Sequence, residues 1–408
     1  MSCSPGVQTT AQPTLKPSLG PENDLKPPSA AQTEWSWTTV KGEARTYVRT
    51  WDVLHKIMNE FGVSGLSVVL TQGASFYANP ETYIFDLGAE NPETRKPIDS
   101  ETVFPAGRLG QPVFGYLVLK LVDRGLFDSD QPLYRYLPKP LPEYPGYADL
   151  KGDFRYRSLT ARKILTHQSG LTYSRLTRPD RKLIFERSPG GHFRYSEEGY
   201  RLLQFVLEQK FGMSINELAK SVVFDFLSLR QMGFSREPSF KGHLAAAAGA
   251  RDEEADSDSD VSKTFYTSAA NYNKFILAVV ISGGAFSNPY IGLPYHDPQV
   301  PVRTPSIFEQ PRSSGRLNLP LGFGWSLGWG MYYIWGYKVK FMGERRQGIE
   351  CYATVIVGLP GRITAISIFA AGNTQRSVTG RILKELMGEI EPPLAWLGFE
   401  GDASKKIY

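Results

Sequence analysis

Apolar residues at Trp51, Val53, Leu54, Ile57 and Met58 in "RTWDVLHKIMNEFGV" recur at helical spacing. They predict an amphipathic helix ended by Gly62. "GLSVVLTQG" and "YIFDLGA" follow as two short strands around a turn. From Val113 to Val122 the chain is apolar on nearly every face, which predicts a core helix buried on all sides. A Pro- and Tyr-rich loop spans 131–147, and "LTARKILTHQSGL" predicts a short helix whose Gly170 suits a left-handed ending. "YSEEGYRLLQFVLEQKFGMSINELAKSVVFDFL" reads as two helices broken at Phe211-Gly212, and "NYNKFILAVVISGG" as another core helix. Residues 284–320 are irregular.

Beyond that point the pattern changes. "FGWSLGWGMYYIWG", "YKVKFMG", "ECYATVIVGLP" and "RITAISIFAAGN" are four strand-like segments separated by turns, and "TQRSVTGRILKELMGEI" closes as an amphipathic helix. Strands, then helices, then strands predict an α+β chain in which both ends share one antiparallel sheet flanked by helices, with a mainly helical subdomain inserted. The expected divisions are a disordered leader over 1–34, a sheet subdomain from 35–105 plus 320–395, a helical subdomain over 106–319, and a tail over 396–408.

Composition bounds the function. Of 408 residues, 41% are hydrophobic and 21% charged, ordinary for a globular chain. The net charge of +5 has no basic run with interleaved aromatics, which argues against nucleic acid as a partner. No apolar stretch is long enough to span a membrane, and no basic and apolar regions of a signal peptide open the chain. The compartment stays open between an exported form and the cytoplasm. Cys3 could carry a lipid on a processed lipoprotein, although a plain disordered start is the simpler expectation. Cys3 and Cys351 make no disulfide framework. Asp256, Asp258 and Asp260 mimic the start of a calcium loop, but Val261 and Thr267 occupy its glycine and glutamate positions, so a solvated loop is expected. The five histidines form no metal-binding spacing, and no phosphate-cradling loop or GxSxG elbow is present. No cofactor is expected.

"TVFPAGRLGQPVFGYLVLKLVDRG", "LTARKILTHQSGLT", "FRYSEEGYRLLQFVLEQKFG" and the strands from Gly322 to Asn373 occur in an order that resembles the penicillin-binding-protein and class C β-lactamase-type serine hydrolases. The resemblance covers roughly residues 45–390. In that family a Ser begins the buried helix and attacks an acyl carbonyl, and a Lys one turn later takes part in proton transfer. The matching window, "RLGQ", carries Arg108 and Gln111 instead. A guanidinium stays protonated and cannot be an acyl nucleophile, and an amide has no proton to exchange. The second motif keeps its tyrosine as Tyr195, with Glu197 two residues on. The third, a Lys or His followed two residues later by Gly, matches "FMG": Phe341 replaces the polar residue and Gly343 is retained. Lys340 is one residue out of phase, on the opposite face unless a bulge shifts the register. His167 and Ser169 have the composition of a base and a nucleophile, but the family uses their segment structurally.

The resemblance therefore implies a degenerate hydrolase that binds a small ligand, an anion among the candidates, or a protein partner in a cleft of Arg108, Gln111, Tyr195, Glu197, Phe341, Gly343 and Arg345, with Arg346 nearby. Tyr195 is the candidate catalytic residue, provided that Arg108 lowers its pKa. In the blander account Arg108 pairs with Glu197 and plugs the cleft. Two alternatives remain: non-covalent acid–base chemistry using Tyr195, Arg108 and Glu197, and an active esterase or peptidase whose serine is elsewhere. Oligomeric state is not legible.

Overall fold

In the computed structural model, residues 28–399 are described, apart from 74–79, 92, 94, 247–258, 282–286, 288–296, 305–306, 308–319, 321, 359–361, 373–375 and 391. Cys3, most of the expected leader, and Asp256 and Asp258 lie outside the described residues. The last part of that leader is ordered: Ala30–Glu34 forms a 310 turn with a capping box, and Gln32 donates to the Tyr47 hydroxyl at 3.2 Å.

Strands β1 (Ser36–Thr38) and β2 (Ala44–Thr46) lead into helix α1 (Tyr47–Phe61), which ends at Gly62 with φ 70°. Then come β3 (Val63–Gly73), β4 (Glu81–Gly88) and β5 (Phe104–Pro105). The helical block holds α2 (Gly110–Asp123), α3 (Ala161–Leu165), α4 (Glu197–Phe211), α5 (Ile215–Ala219), the short strands β6 (Met232–Gly233) and β7 (Tyr266–Thr267), and α6 (Ala269–Ile276). The chain closes with β8 (Val300–Pro301), β9 (Gly324–Trp325), β10 (Gly330–Ile334), β11 (Tyr337–Arg346), β12 (Ile349–Val357), β13 (Ile363–Gly372) and α7 (Thr379–Met387).

The main sheet runs β4-β3-β13-β12-β11-β10-β9-β8, every pair antiparallel, so strands from both ends of the chain meet at β3 and β13. Strand alternation gives each face its own helices. On one face Phe85 stacks on Tyr47 at the start of α1, at 4.3 Å between centroids. On the other, Asn273 of α6 receives a hydrogen bond from Thr71 at 2.8 Å and donates to the carbonyls of Val69 and Ala365. That polar side chain fixes helix to sheet, because each bond it makes inside the core would be costly to leave unmade. α2 is buried from Gly110 to Leu121, as its all-round apolar sequence requires.

Gly170 has φ 73° but does not end α3, which stops at Leu165. Its left-handed backbone serves the following loop, where a Cβ would meet the Arg187 carbonyl oxygen at 2.3 Å. His167 takes positive φ just after the helix.

On β4, Asp86 accepts a hydrogen bond from Ser67 at 2.6 Å. Burial pushes its pKa up to about 6, with Asp99 adding and the Ser67 bond opposing. The fold thus disfavours the ionised form: the contribution of this carboxyl is full below its unfolded pKa and is lost as pH rises through about 6. Asp86→Asn is expected to stabilise the protein at neutral pH by about 1–3 kcal/mol and to bring no gain near pH 4. Urea midpoints at the two pH values check both halves.

Candidate functional site

Arg108 belongs to a 310 turn, Gly107–Leu109, that runs directly into α2. Its side chain is buried at 5% exposure. Nε donates to Glu344 Oε2 at 2.9 Å, and the backbone N–H of Arg108 donates to the same oxygen at 3.2 Å. Nη2 donates to the Leu397 carbonyl at 3.4 Å. Burial alone would lower the guanidinium pKa, but Glu344, together with Tyr195 and Tyr173, carries it above its ordinary value. A cation at the start of a helix opposes the helix dipole. Here the carboxylate of Glu344 answers both charges, because it sits on a backbone N–H at that helix start. Gly107 makes room for it: with φ 52°, it has a Cβ position only 2.6 Å from Glu344 Cγ.

Three residues further on, Gln111 is fully buried and hydrogen-bonds to both His167 and Tyr195, whose rings pack on each other at 4.3 Å. His167 Nδ1 accepts from the backbone N–H of Ser196 at 3.2 Å, which puts the ring proton on Nε2. Nε2 then donates to Gln111 Oε1 at 3.2 Å, and Gln111 Nε2 donates to the Tyr195 hydroxyl at 2.5 Å and to the Ser262 carbonyl at 3.3 Å. Burial holds the His167 pKa well below the usual imidazole value, so this chain of donors is neutral. Tyr195 goes the other way from the sequence expectation. Arg108 does pull its pKa down, but desolvation outweighs that pull, and Glu197, Tyr173 and Glu344 add to it, so the phenol lies well above its ordinary value.

Glu197 opens α4 and does not pair with Arg108. It takes Arg201 Nη2 at 2.7 Å and the Tyr173 hydroxyl at 3.0 Å. Burial raises its pKa against the pull of Arg201. The Tyr173 ring lies 5.8 Å from that of Tyr195.

β11 borders the site with an unbroken register: Lys340 faces Val355 on β12 and Met331 on β10, and Phe341 faces Thr354 and Gly330. No bulge brings Lys340 into phase with the motif. Its amine is buried, and desolvation, with Lys338 adding, pushes the pKa down to about 7. Phe341 stacks on Phe323 at 5.9 Å and meets Trp396 edge-on at 6.3 Å. A Cβ on Gly343 would stand 2.7 Å from the Phe399 ring, so the glycine keeps space for that ring. Arg345, expected at the cleft rim, instead lies 3.4 Å from Glu350. Glu350 also accepts from Ser377 and from the backbone of Thr379 at the start of α7. Arg346 is exposed.

Residues 396–399 are not a free tail. Trp396, Leu397 and Phe399 are all buried. The Trp396 ring lies 5.1 Å from Phe323, 6.0 Å from Trp325 and 6.1 Å from Phe193, and its Nε1 donates to the Thr304 carbonyl at 3.1 Å. A turn near the C-terminus thus stands against Arg108, Phe341 and Gly343. Gln111 bonds Tyr195 and Arg108 lies near enough to act on that phenol, as does Glu197, whereas Phe341, Gly343 and Arg345 face other partners. Sequence reading missed Glu344, Tyr173, Trp396 and the bonded role of His167. Two signals were present: a carboxylate directly after the motif glycine, and the apolar spacing of "PPLAWLGF".

A family model for beta-lactamases matches residues 50–379. The chain belongs to the beta-lactamase family. Among curated relatives, the mouse mitochondrial serine beta-lactamase-like protein LACTB is 28% identical over 134 residues, and the human protein is 28% identical over 131. These matches cover 33% and 32% of this chain, and the chain spans only about a fifth of the relatives' own length (22% of each). Among solved structures, the octameric penicillin-binding protein homologue from Pyrococcus abyssi superposes with a TM-score of 0.63 at 17% identity, covering 86% of this chain and 79% of that one. A class C beta-lactamase from Rhodobacter sphaeroides gives 0.62 at 16% identity, covering 83% and 97%. At such identities the superpositions speak for the family's fold alone. Among the described residues no helix is long and apolar enough to cross a membrane, and no group of three or more His, Cys, Asp or Glu could hold a metal ion.

Proposed function

We propose that this chain is a family member without acyl-enzyme chemistry, in which the former reaction cleft is closed by the protein's own side chains and serves structure. The observation that carries this reading is the ion pair between buried Arg108 and half-buried Glu344. A backbone N–H at a helix start is the kind of donor that holds an oxyanion in acyl transfer. At Arg108 that donor is already taken by a carboxylate. Beside it, the neutral chain His167–Gln111–Tyr195 contains no amine, and a buried phenol whose pKa is raised is a poor base near neutral pH. The Trp396 turn supports the same reading, because it fills space next to the guanidinium.

Non-covalent acid–base chemistry would need Glu197 as a base, and that carboxylate is held by Arg201 and Tyr173. An unplaced serine nucleophile is tested directly. The protein is expected to stay unlabelled by a fluorophosphonate probe and by fluorescent penicillin under conditions that label an active class C β-lactamase. A covalent adduct on any serine, seen by intact mass, overturns the proposal.

A further inference from the structure

The segment from Lys151 to Arg187 carries ten Lys and Arg against three acids, a net +7, whereas the whole chain carries +5. Lys151, Arg157, Arg181, Lys182 and Arg187 are exposed and join no ion pair among the described residues. Two large apolar side chains of the same segment are also exposed, Phe154 at 64% and Leu176 at 54%. Packing draws these residues onto connected turns. Arg157 lies over the Phe154 ring at 4.7 Å, and Arg155 of the same turn lies over Phe185 at 5.1 Å. Phe185 in turn bridges to Leu171, and Arg178 reaches Glu186 at 3.6 Å. The surface continues into Tyr173, which touches the site through Glu197.

We infer that this basic face of the helical block docks onto an anionic lipid surface, with Phe154 and Leu176 entering the interface and the unpaired cations meeting the headgroups. Cations with long aliphatic stems around protruding apolar tips suit the boundary between headgroup and acyl chain. Juxtamembrane Lys and Arg near such a surface each contribute attraction that falls off within a Debye length. Leu176 decides against nucleic acid as the partner, because an aliphatic side chain offers no stacking platform for a base.

The test is co-sedimentation of the full chain with phosphatidylcholine vesicles, with and without phosphatidylserine. Binding is expected only with phosphatidylserine and is expected to be lost at high salt. Arg157→Gln/Arg181→Gln/Lys182→Gln is expected to lower the partition coefficient at least about tenfold. Phe154→Ser, which changes no charge, is expected to lower it severalfold. All these positions are exposed, so unchanged thermal unfolding of both variants accompanies the result. Equal binding to neutral vesicles, undiminished binding by the triple variant, or tighter binding to duplex RNA than to the anionic vesicles would overturn the inference.

Discussion

Replacing Glu344 by Gln is expected to destabilise the protein by about 3–5 kcal/mol, because it strands a buried guanidinium without its counter-charge. The partners are unequal. Arg108 retains 5% exposure and Glu344 16%, so the carboxylate has the easier route to water once its partner is gone. Arg108→Met is therefore expected to cost less, about 1–3 kcal/mol. Removing both, as Arg108→Met/Glu344→Leu, is expected to recover most of the loss, since an apolar pair of similar volume can replace a buried ion pair at little cost. Chemical denaturation of Arg108→Met, Glu344→Leu and their double variant gives the coupling energy. A Glu344→Gln variant as stable as the parent would show that Arg108 is compensated elsewhere.

Trp396→Ala is the second large effect. The indole is 3% exposed and lies within aromatic contact distance of Phe193, Phe323, Trp325 and Phe341. Truncation removes that packing and leaves the Thr304 carbonyl without its indole donor, for an expected loss of about 3–5 kcal/mol. Because Leu397 accepts from Arg108 in the same turn, the variant is also expected to open the site. Increased binding of a hydrophobic dye at temperatures below the unfolding transition measures that opening. A variant with unchanged stability and no added dye binding would mean that the turn packs loosely against the site.

The architecture was legible because its signals are local and repeated. The stripe of α1, the all-round apolar α2 and the four late strands each state their own period, and the resemblance supplied their order. The site was legible only as far as residue identity goes. Arg108, Gln111 and Tyr195 could be named from motif positions, but their partners come from distant elements. Glu344 reaches Arg108 from β11 and Leu397 from beyond α7, and no spacing rule links those positions. Strand parity separated Lys340 from Phe341, yet it could not reveal that Glu344, in phase with Lys340, is the residue that meets the helix. The direction of the Tyr195 pKa was missed for a related reason: a neighbouring cation can be guessed from sequence, whereas the loss of solvent around a phenol requires the packed core.

The pairing of β3 with β13 bears on how the molecule is made. Val69 lies opposite Ser367, so a strand that has left the ribosome waits for a partner translated about 300 residues later. Until then one long apolar border of the nascent sheet has only β4 beside it, while the entire helical block is being synthesised. Such late closure slows folding and exposes a sticky edge. Yield in a cell should therefore depend on chaperones that shield that border, even for a mature protein that is comfortably stable.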